Sequence, residues 1–300
     1  MRIAVLSNSS RLYSTKRLVV AGRERGHRMR VISYSRCYMN VTAEQPQVHY
    51  KGAILKPFDA VIPRISASLS DYGVAVVRQF QMLNSYCVNK PDAISCAHDK
   101  FRVLQLLAKK GIALPTTGFA RSAFDVDDLI QTVGGAPFII KLPQGSHGAG
   151  VALAETHKAA ESVLTAFVGI NANILIQEFI EESRGKDVRC FVIGDEVVAA
   201  MERSSTDDDF RSNLHRGGTA RKVRLTKALR ETALSAARLV GLNVCGVDVL
   251  MSNRGPMVLE VNASPGLEGI ERVTGVNVAD KMIEFIEVTH AENKNQASSA

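Results

Sequence analysis

Val244-Cys-Gly-Val-Asp-Val-Leu-Met251 and Met257-Val-Leu-Glu-Val-Asn262 are two apolar runs separated by Ser252-Asn-Arg-Gly-Pro256. Aliphatic runs bracketing a Gly-Pro turn signal read as a β-hairpin. With those five residues as the loop, Met251 faces Met257 and Asp248 falls directly opposite Glu260. Asn262, two residues further on, projects from the same face. Two like charges in cross-strand contact destabilise a hairpin by roughly 0.2–1 kcal/mol, and by more among apolar neighbours. A cation relieves that repulsion, and two carboxylates with an amide oxygen form the hard donor set that suits magnesium. The competing reading is a solvated face on which the two carboxylates repel only weakly.

Upstream, Phe138-Ile-Ile-Lys141 ends a strand and runs into a segment with Gly145, Gly148 and Gly150. Glycine amides approach a phosphate closely because no Cβ intervenes. The order differs from a P-loop, since the lysine precedes the glycines. A plain glycine-rich hairpin is the alternative. Lys141 weighs against it, because a lysine closing an apolar strand calls for an anionic partner. Lys100, on a helix between the two halves of the chain, is a weaker candidate. The strand Asn173–Glu178 ends in Glu178-Phe179, with Asp187 beyond, a pattern suited to an adenine edge and ribose hydroxyls. Residues 202–218 lack periodicity and carry Arg203, Arg211 and Arg216, side chains able to clamp phosphate or carboxylate oxygens. An exposed, charge-balanced loop is the bland alternative there.

The 300 residues predict two domains with ample core. Short apolar strands alternating with helices over residues 1–95 predict an open, mostly parallel sheet. Its first turn, Ser7-Asn8-Ser9-Ser10, lacks the glycine fingerprint of dinucleotide-binding folds. A helix is expected over Ser95–Lys110. Residues 96–290 then read as α+β with much antiparallel sheet, and 291–300 as a flexible tail. The composition, 46% apolar and 22% charged, excludes disorder. No run approaches the roughly 20 apolar residues of a membrane helix, so a cytoplasmic protein without membrane partners is expected. Five scattered cysteines read as buried thiols, and no histidine sits at zinc-ligand spacing. A net charge of +7 favours anionic partners. With no Trp and 6% aromatic residues, a nucleic-acid-binding module is the disfavoured rival.

Taken together, the glycine loop after Lys141, Gln177-Glu178-Phe179-Ile180, the stretch Phe210–Gly218, Gly246-Val247-Asp248 and Leu259–Gly266 resemble the ATP-grasp superfamily. Cys37-Tyr38-Met39-Asn40 and Pro63-Arg64-Ile65 resemble its RimK-type alpha-L-glutamate ligases. The resemblance covers roughly residues 1–290. It implies an ATP-grasp fold preceded by a pre-ATP-grasp domain (α/β plus α+β), and an ATP-dependent carboxylate–amine ligase. The implied product is glutamate added to the C-terminus of an acceptor, small-subunit ribosomal protein six, through an acyl phosphate. A glutathione-synthetase-like ligase is the nearest rival. Carried over by residue, Lys141, Glu178, Phe179, Asp187, Arg211, Ser212 and Asn213 would bind ATP, and Lys100, Gly145 and Gly148 join them from the reading of the lysines and the glycine loop. Asp248, Glu260 and Asn262 would hold two magnesium or manganese ions. Arg203, Arg211 and Arg216 would meet the acyl phosphate or the incoming L-glutamate. A homo-oligomer is also expected.

Overall fold

The computed structural model describes residues 1–66, 69–121, 126–141, 150–168, 173–205 and 218–298. Gly145, Gly148, Arg211, Ser212, Asn213 and Arg216 lie outside the described residues.

The chain opens with β1 (Arg2–Leu6), α1 (Tyr13–Glu24) and β2 (Arg28–Ile32), the short apolar strands and intervening helix that the sequence pattern predicts. An antiparallel meander follows, β3 (Cys37–Asn40), β4 (Gln47–Tyr50) and β5 (Ala53–Ile54). Then come β6 (Ala60–Pro63), α2 (Ser70–Met82) and β7 (Tyr86–Cys87). The parallel sheet runs in the order β2-β1-β6-β7. Its switch point therefore lies between β1 and β6, whose connections leave in opposite directions. The meander has no counterpart in the sequence reading. Its strands are short and polar, and their anchors are single buried residues, Cys37 and Val48.

The single helix expected over Ser95–Lys110 is instead two, α3 (Pro91–His98) and α4 (Lys100–Lys109). Asp99 breaks the run: its backbone is extended (φ −91°, ψ 91°), and its side chain accepts from the Arg102 amide at 3.0 Å as the N-cap of α4.

A second, antiparallel sheet has the order β10-β9-β11-β8, built from β8 (Thr117–Ala120), β9 (Phe138–Lys141), β10 (Val151–Ala154) and β11 (Ile174–Glu178). Alternation along its strands separates two faces. Phe138, Ile140, Ile174 and Ile176 pack into a core with residues of α5 (Val126–Thr132) and α6 (His157–Val168). Ile139, Lys141, Leu175 and Gln177 occupy the other face, shown by the pairing of Lys141 with Leu175 and of Ile139 with Gln177.

The third sheet, β14-β13-β12-β15-β16, comprises β12 (Lys186–Ile193), β13 (Glu196–Ser204), β14 (Thr219–Lys222), β15 (Val244–Ser252) and β16 (Gly255–Asn262). Helix α7 (Lys227–Val240) precedes β15, and α8 (Glu268–Thr274) and α9 (Val278–Ser298) close the chain. Thr226 caps α7, accepting from the Leu229 amide, and Gly241 ends it in the left-handed conformation at φ 81°. The expected flexible tail after residue 290 continues α9 as helix to Ser298. The five cysteines are buried free thiols.

The N-terminal and C-terminal sheets are joined by buried polar contacts as well as by shared core. Asn89, 2% exposed, donates through Nδ2 to the Val244 and Ala263 carbonyls at 2.7 and 3.2 Å, and its Oδ1 accepts from the Val244 amide at 2.9 Å. Asn89→Ala leaves these backbone groups buried and unpaired, so it should lower stability by roughly 2–4 kcal/mol, read as a fall in the urea midpoint.

Candidate active site

The decisive hairpin forms with the acidic pair opposed: Asp248 pairs with Glu260, and Gly246 with Asn262. The five-residue loop expected between the strands is replaced by a two-residue turn, Asn253-Arg254, since Ser252 pairs with Gly255. Ser252 accepts from the Arg254 amide and donates to the Gly255 carbonyl, and Gly255 sits at φ 101°, where a Cβ is strained. From this turn Met251 faces Pro256. A bulge between Asp248 and Val249 leaves Leu259 without a partner and restores the acidic register.

Asp248 does not stand alone on its sheet face. Its cross-strand neighbour on β12 is Arg189, and Asp187, two residues earlier on β12, pairs with Arg203 on β13. Arg189 grips Asp248 bidentately at 2.8 and 2.7 Å. Arg203, 5% exposed, binds both oxygens of Asp187 and reaches Asp248 Oδ2 at 2.9 Å. Burial alone would raise the Asp248 pKa. The two guanidinium groups outweigh it and hold the carboxyl well below the usual carboxylate range. Gly246 makes room for this packing, because a Cβ there would meet Pro265 Cβ at 3.0 Å and Arg189 Nε at 3.6 Å. Arg189 was not singled out from the sequence. The available signal was the spacing of Asp187 and Arg189, two charges on one face of an otherwise apolar strand.

Arg203 was expected to meet substrate oxygens. Here its donors hold two carboxylates, which makes it a positioning group for Asp248. Asp187, expected at the nucleotide, is 4% exposed and gripped by Arg203.

Glu260, by contrast, is open, with 42% of its side chain exposed, and Lys100 Nζ lies 3.9 Å from Oε1. Lys100, Lys141, Gln177 and Glu260 line one cleft between α4, β16 and the second sheet, floored by apolar residues including Leu104, Leu175 and Val258. Lys141 donates to Gln177 Oε1 at 2.6 Å. Desolvation and the nearby Lys100 charge pull the Lys141 pKa down to about 8, against the smaller opposing pull of Glu260. A cleft that crowds two ammonium groups among apolar walls is built for an anion.

Glu178 ends β11, accepting from the Thr116 amide at 3.0 Å and pairing with Arg254 from the hairpin turn. Phe179 follows it, with the Arg184 guanidinium 5.9 Å from its ring centroid. The donor set Asp248, Glu260 and Asn262 fits a hard divalent cation: it is all oxygen, lies on one sheet face, and includes an open carboxylate. Asn262 Oδ1 accepts from the Ser264 amide at 2.9 Å, which fixes the side chain and leaves a second lone pair.

Residues 97–286 match the RimK-like ATP-grasp domain and residues 1–94 the RimK PreATP-grasp domain. The chain belongs to the RimK-like ATP-grasp family. It is 59% identical over 287 residues to a probable alpha-L-glutamate ligase of Hydrogenovibrio crunogenus, covering 96% of this chain and 95% of that one. A probable alpha-L-glutamate ligase of Shewanella loihica is 58% identical over 296 residues, with 99% and 98% covered. Among solved structures, ATP-grasp ligase PsnB complexed with a minimal precursor superposes with a TM-score of 0.76 at 22% identity, covering 96% and 98%. D-alanine–D-alanine ligase from Bacillus anthracis gives 0.69 at 15%, covering 99% of each chain. These last two establish the fold. This RimK-like chain is thus an ATP-dependent ligase whose two sheets face one another across the lysine cleft. Among its described residues no helix is long and apolar enough to cross a membrane.

Two measurements test this electrostatic arrangement. Arg203→Met strands Asp187 and weakens the hold on Asp248, so unfolding free energy should fall by roughly 3–5 kcal/mol in urea titrations. For Lys141 the folded state disfavours the charged form. Below about pH 8 both folded and unfolded states hold the proton and the penalty is complete. As pH climbs from there towards the ordinary lysine value, the folded state releases the proton first and stability is regained. The melting-temperature advantage of Lys141→Met over the unmodified protein should therefore be largest below pH 8 and shrink above it.

Proposed function

We propose that this ligase uses ATP and magnesium to join L-glutamate through its amine to the C-terminal carboxylate of an acidic protein acceptor, with small-subunit ribosomal protein six the first candidate. The observation that supports it most is the open Glu260 carboxylate, set opposite Asp248 and sharing a cleft with Lys100 and Lys141. The two relatives above, both bearing the glutamate ligase name over nearly their whole length, agree with this reading. The PsnB structure solved with a precursor variant, Mg and ADP has the same fold.

A carboxylate is a poor electrophile, and transfer of the ATP γ-phosphoryl group to the acceptor carboxylate gives an acyl phosphate that the glutamate amine attacks, releasing phosphate. Phosphoryl transfer demands charge neutralisation and alignment more than covalent help. When bound by Asp248, Glu260 and Asn262, one or two magnesium or manganese ions neutralise phosphate charge. Lys141 and Lys100 present fixed positive charge to the same phosphates, and Gly145 and Gly148 are assigned to phosphate from their sequence pattern. Glu178 and Phe179 are assigned to the nucleoside, Asp187 acts through Arg203, and Ser212 and Asn213 are assigned to further nucleotide contacts. Arg189 and Arg203 keep Asp248 ionised and oriented. Arg211 and Arg216 take the anionic oxygens of the acyl phosphate or of glutamate.

Glu260→Gln should retain the fold and lose ligation by at least 1,000-fold, measured as glutamate-dependent phosphate release. Normal turnover would remove the cation site. Arg211→Lys should also fail despite its charge, because an ammonium cannot reproduce a planar fork; wild-type kinetics would take Arg211 out of the site. The acceptor is settled by mass spectrometry after incubation with ATP, magnesium and glutamate. A ladder of glutamate increments on ribosomal protein six supports the assignment, and an unmodified acceptor overturns it.

A further inference from the structure

Four connections leave the C-terminal edge of the N-terminal parallel sheet: residues 7–12 after β1, 33–36 after β2, 64–69 after β6 and 88–90 after β7. Each carries one cation, in order Arg11, Arg36, Arg64 and Lys90, and none contains an aspartate or glutamate. The remaining residues there are mostly hydroxyl and amide side chains. They bond largely among themselves, as Asn8 does with Ser33 and Tyr34 with Ser66. None of the four cations has an ion-pair partner among the described residues.

Arg64 differs from the other three. Arg11, Arg36 and Lys90 are exposed, whereas Arg64 is partly buried at the end of β6, its amide bonded to the Leu6 carbonyl at 2.9 Å. That places it at the switch point between β1 and β6, where open parallel sheets bind ligands. Burial lowers its pKa to about 10, and no carboxylate offsets the loss of hydration. Its guanidinium has no carboxylate partner among the described residues and keeps part of its surface open at this edge, where an anionic ligand can reach it.

We propose that this edge is the receptor for the acidic acceptor peptide, with Arg64 binding one of its carboxylates. The inference rests on the glutamate-ligase reading and deepens it. Adjacent strands lie about 4.8 Å apart, so four strands span about 14 Å. That width exceeds a single amino acid and matches about four residues of extended peptide at about 3.4 Å each. The edge also abuts the reaction site. Asn89, on the same edge, grips the carbonyl of Ala263, which directly follows Asn262, and the Leu267 amide donates to Ser14 Oγ at 3.0 Å. A peptide lying along the edge is therefore delivered towards the end of β16.

The test compares the unmodified enzyme with Arg64→Met, using fluorescein-labelled tetraglutamate in a polarisation assay without ATP, then steady-state kinetics. Binding should weaken at least tenfold and the KM for tetraglutamate rise by a similar factor, with the KM for ATP within twofold. The melting temperature should hold, since Arg64 has no ion pair among the described residues to lose, whereas a purely structural arginine would lower it. Neutralising Arg11, Arg36 and Lys90 together should flatten the gain in affinity from diglutamate to tetraglutamate. Unchanged tetraglutamate binding by Arg64→Met overturns the inference, as does a rise confined to the KM for free glutamate. The two readings fail separately: an unmodified enzyme that binds tetraglutamate but releases no phosphate with glutamate contradicts the nucleophile assignment and leaves the receptor standing.

Discussion

A buried carboxylate stays ionised in this protein because two arginines hold it. Asp248 is buried at 3% exposure, and the forks of Arg189 and Arg203 on the same sheet face make its charge tolerable there. Those forks can reach it because Arg189 pairs with Asp248 in register, while Arg203 is anchored by Asp187 one strand further out. Arg189, Asp248 and Glu260 stand in register across β12, β15 and β16, the Asp187–Arg203 pair lies one step along on β12 and β13, and Glu260 is the open member facing the cleft. The close packing around Gly246, where a Cβ would meet Pro265 and Arg189, belongs to the same arrangement.

The same logic separates the two kinds of cation in the molecule. Arg189 and Arg203 are each paired with carboxylates through Nε and Nη2. Lys141 and Arg64 are desolvated without a carboxylate in contact, and their pKa values are pulled down to about 8 and about 10. Such groups lower the stability of the free protein and gain it back from an anionic ligand. One stands in the cleft between the sheets and the other on the edge of the parallel sheet.

Much of this architecture was legible in the residues. The parallel sheet followed from short apolar strands alternating with helices, and Asp248 opposite Glu260 from hydrophobic periodicity. That pairing was reached through two cancelling errors. The loop is shorter than the Gly-Pro signal suggested, and the bulged Leu259 returns the count. Periodicity cannot reveal a bulge, because Val258-Leu259 reads as ordinary apolar strand. The break at Asp99 was hidden for a similar reason: the flanking residues favour helix, and only the cap geometry ends it. The sequence assigns Arg203 to anionic oxygens without showing which; its contacts with Asp187, sixteen residues away across a hairpin, and with Asp248 appear only once the strands are paired. The meander of residues 37–54 carried too few apolar positions to announce itself.

The bulge at Leu259 divides the hairpin into two stretches of different phase. Outboard of it, alignment is dictated by the tight Asn253-Arg254 reversal. Inboard, alignment is inherited from β12, whose Arg189 locks Asp248 in place. The outer stretch takes its outside contacts from the end of β11 and the segment that follows it, where Ser183 donates to the Met251 carbonyl, Glu182 accepts from the Asn253 amide and Glu178 pairs with Arg254. The acidic pair keeps its mutual alignment throughout.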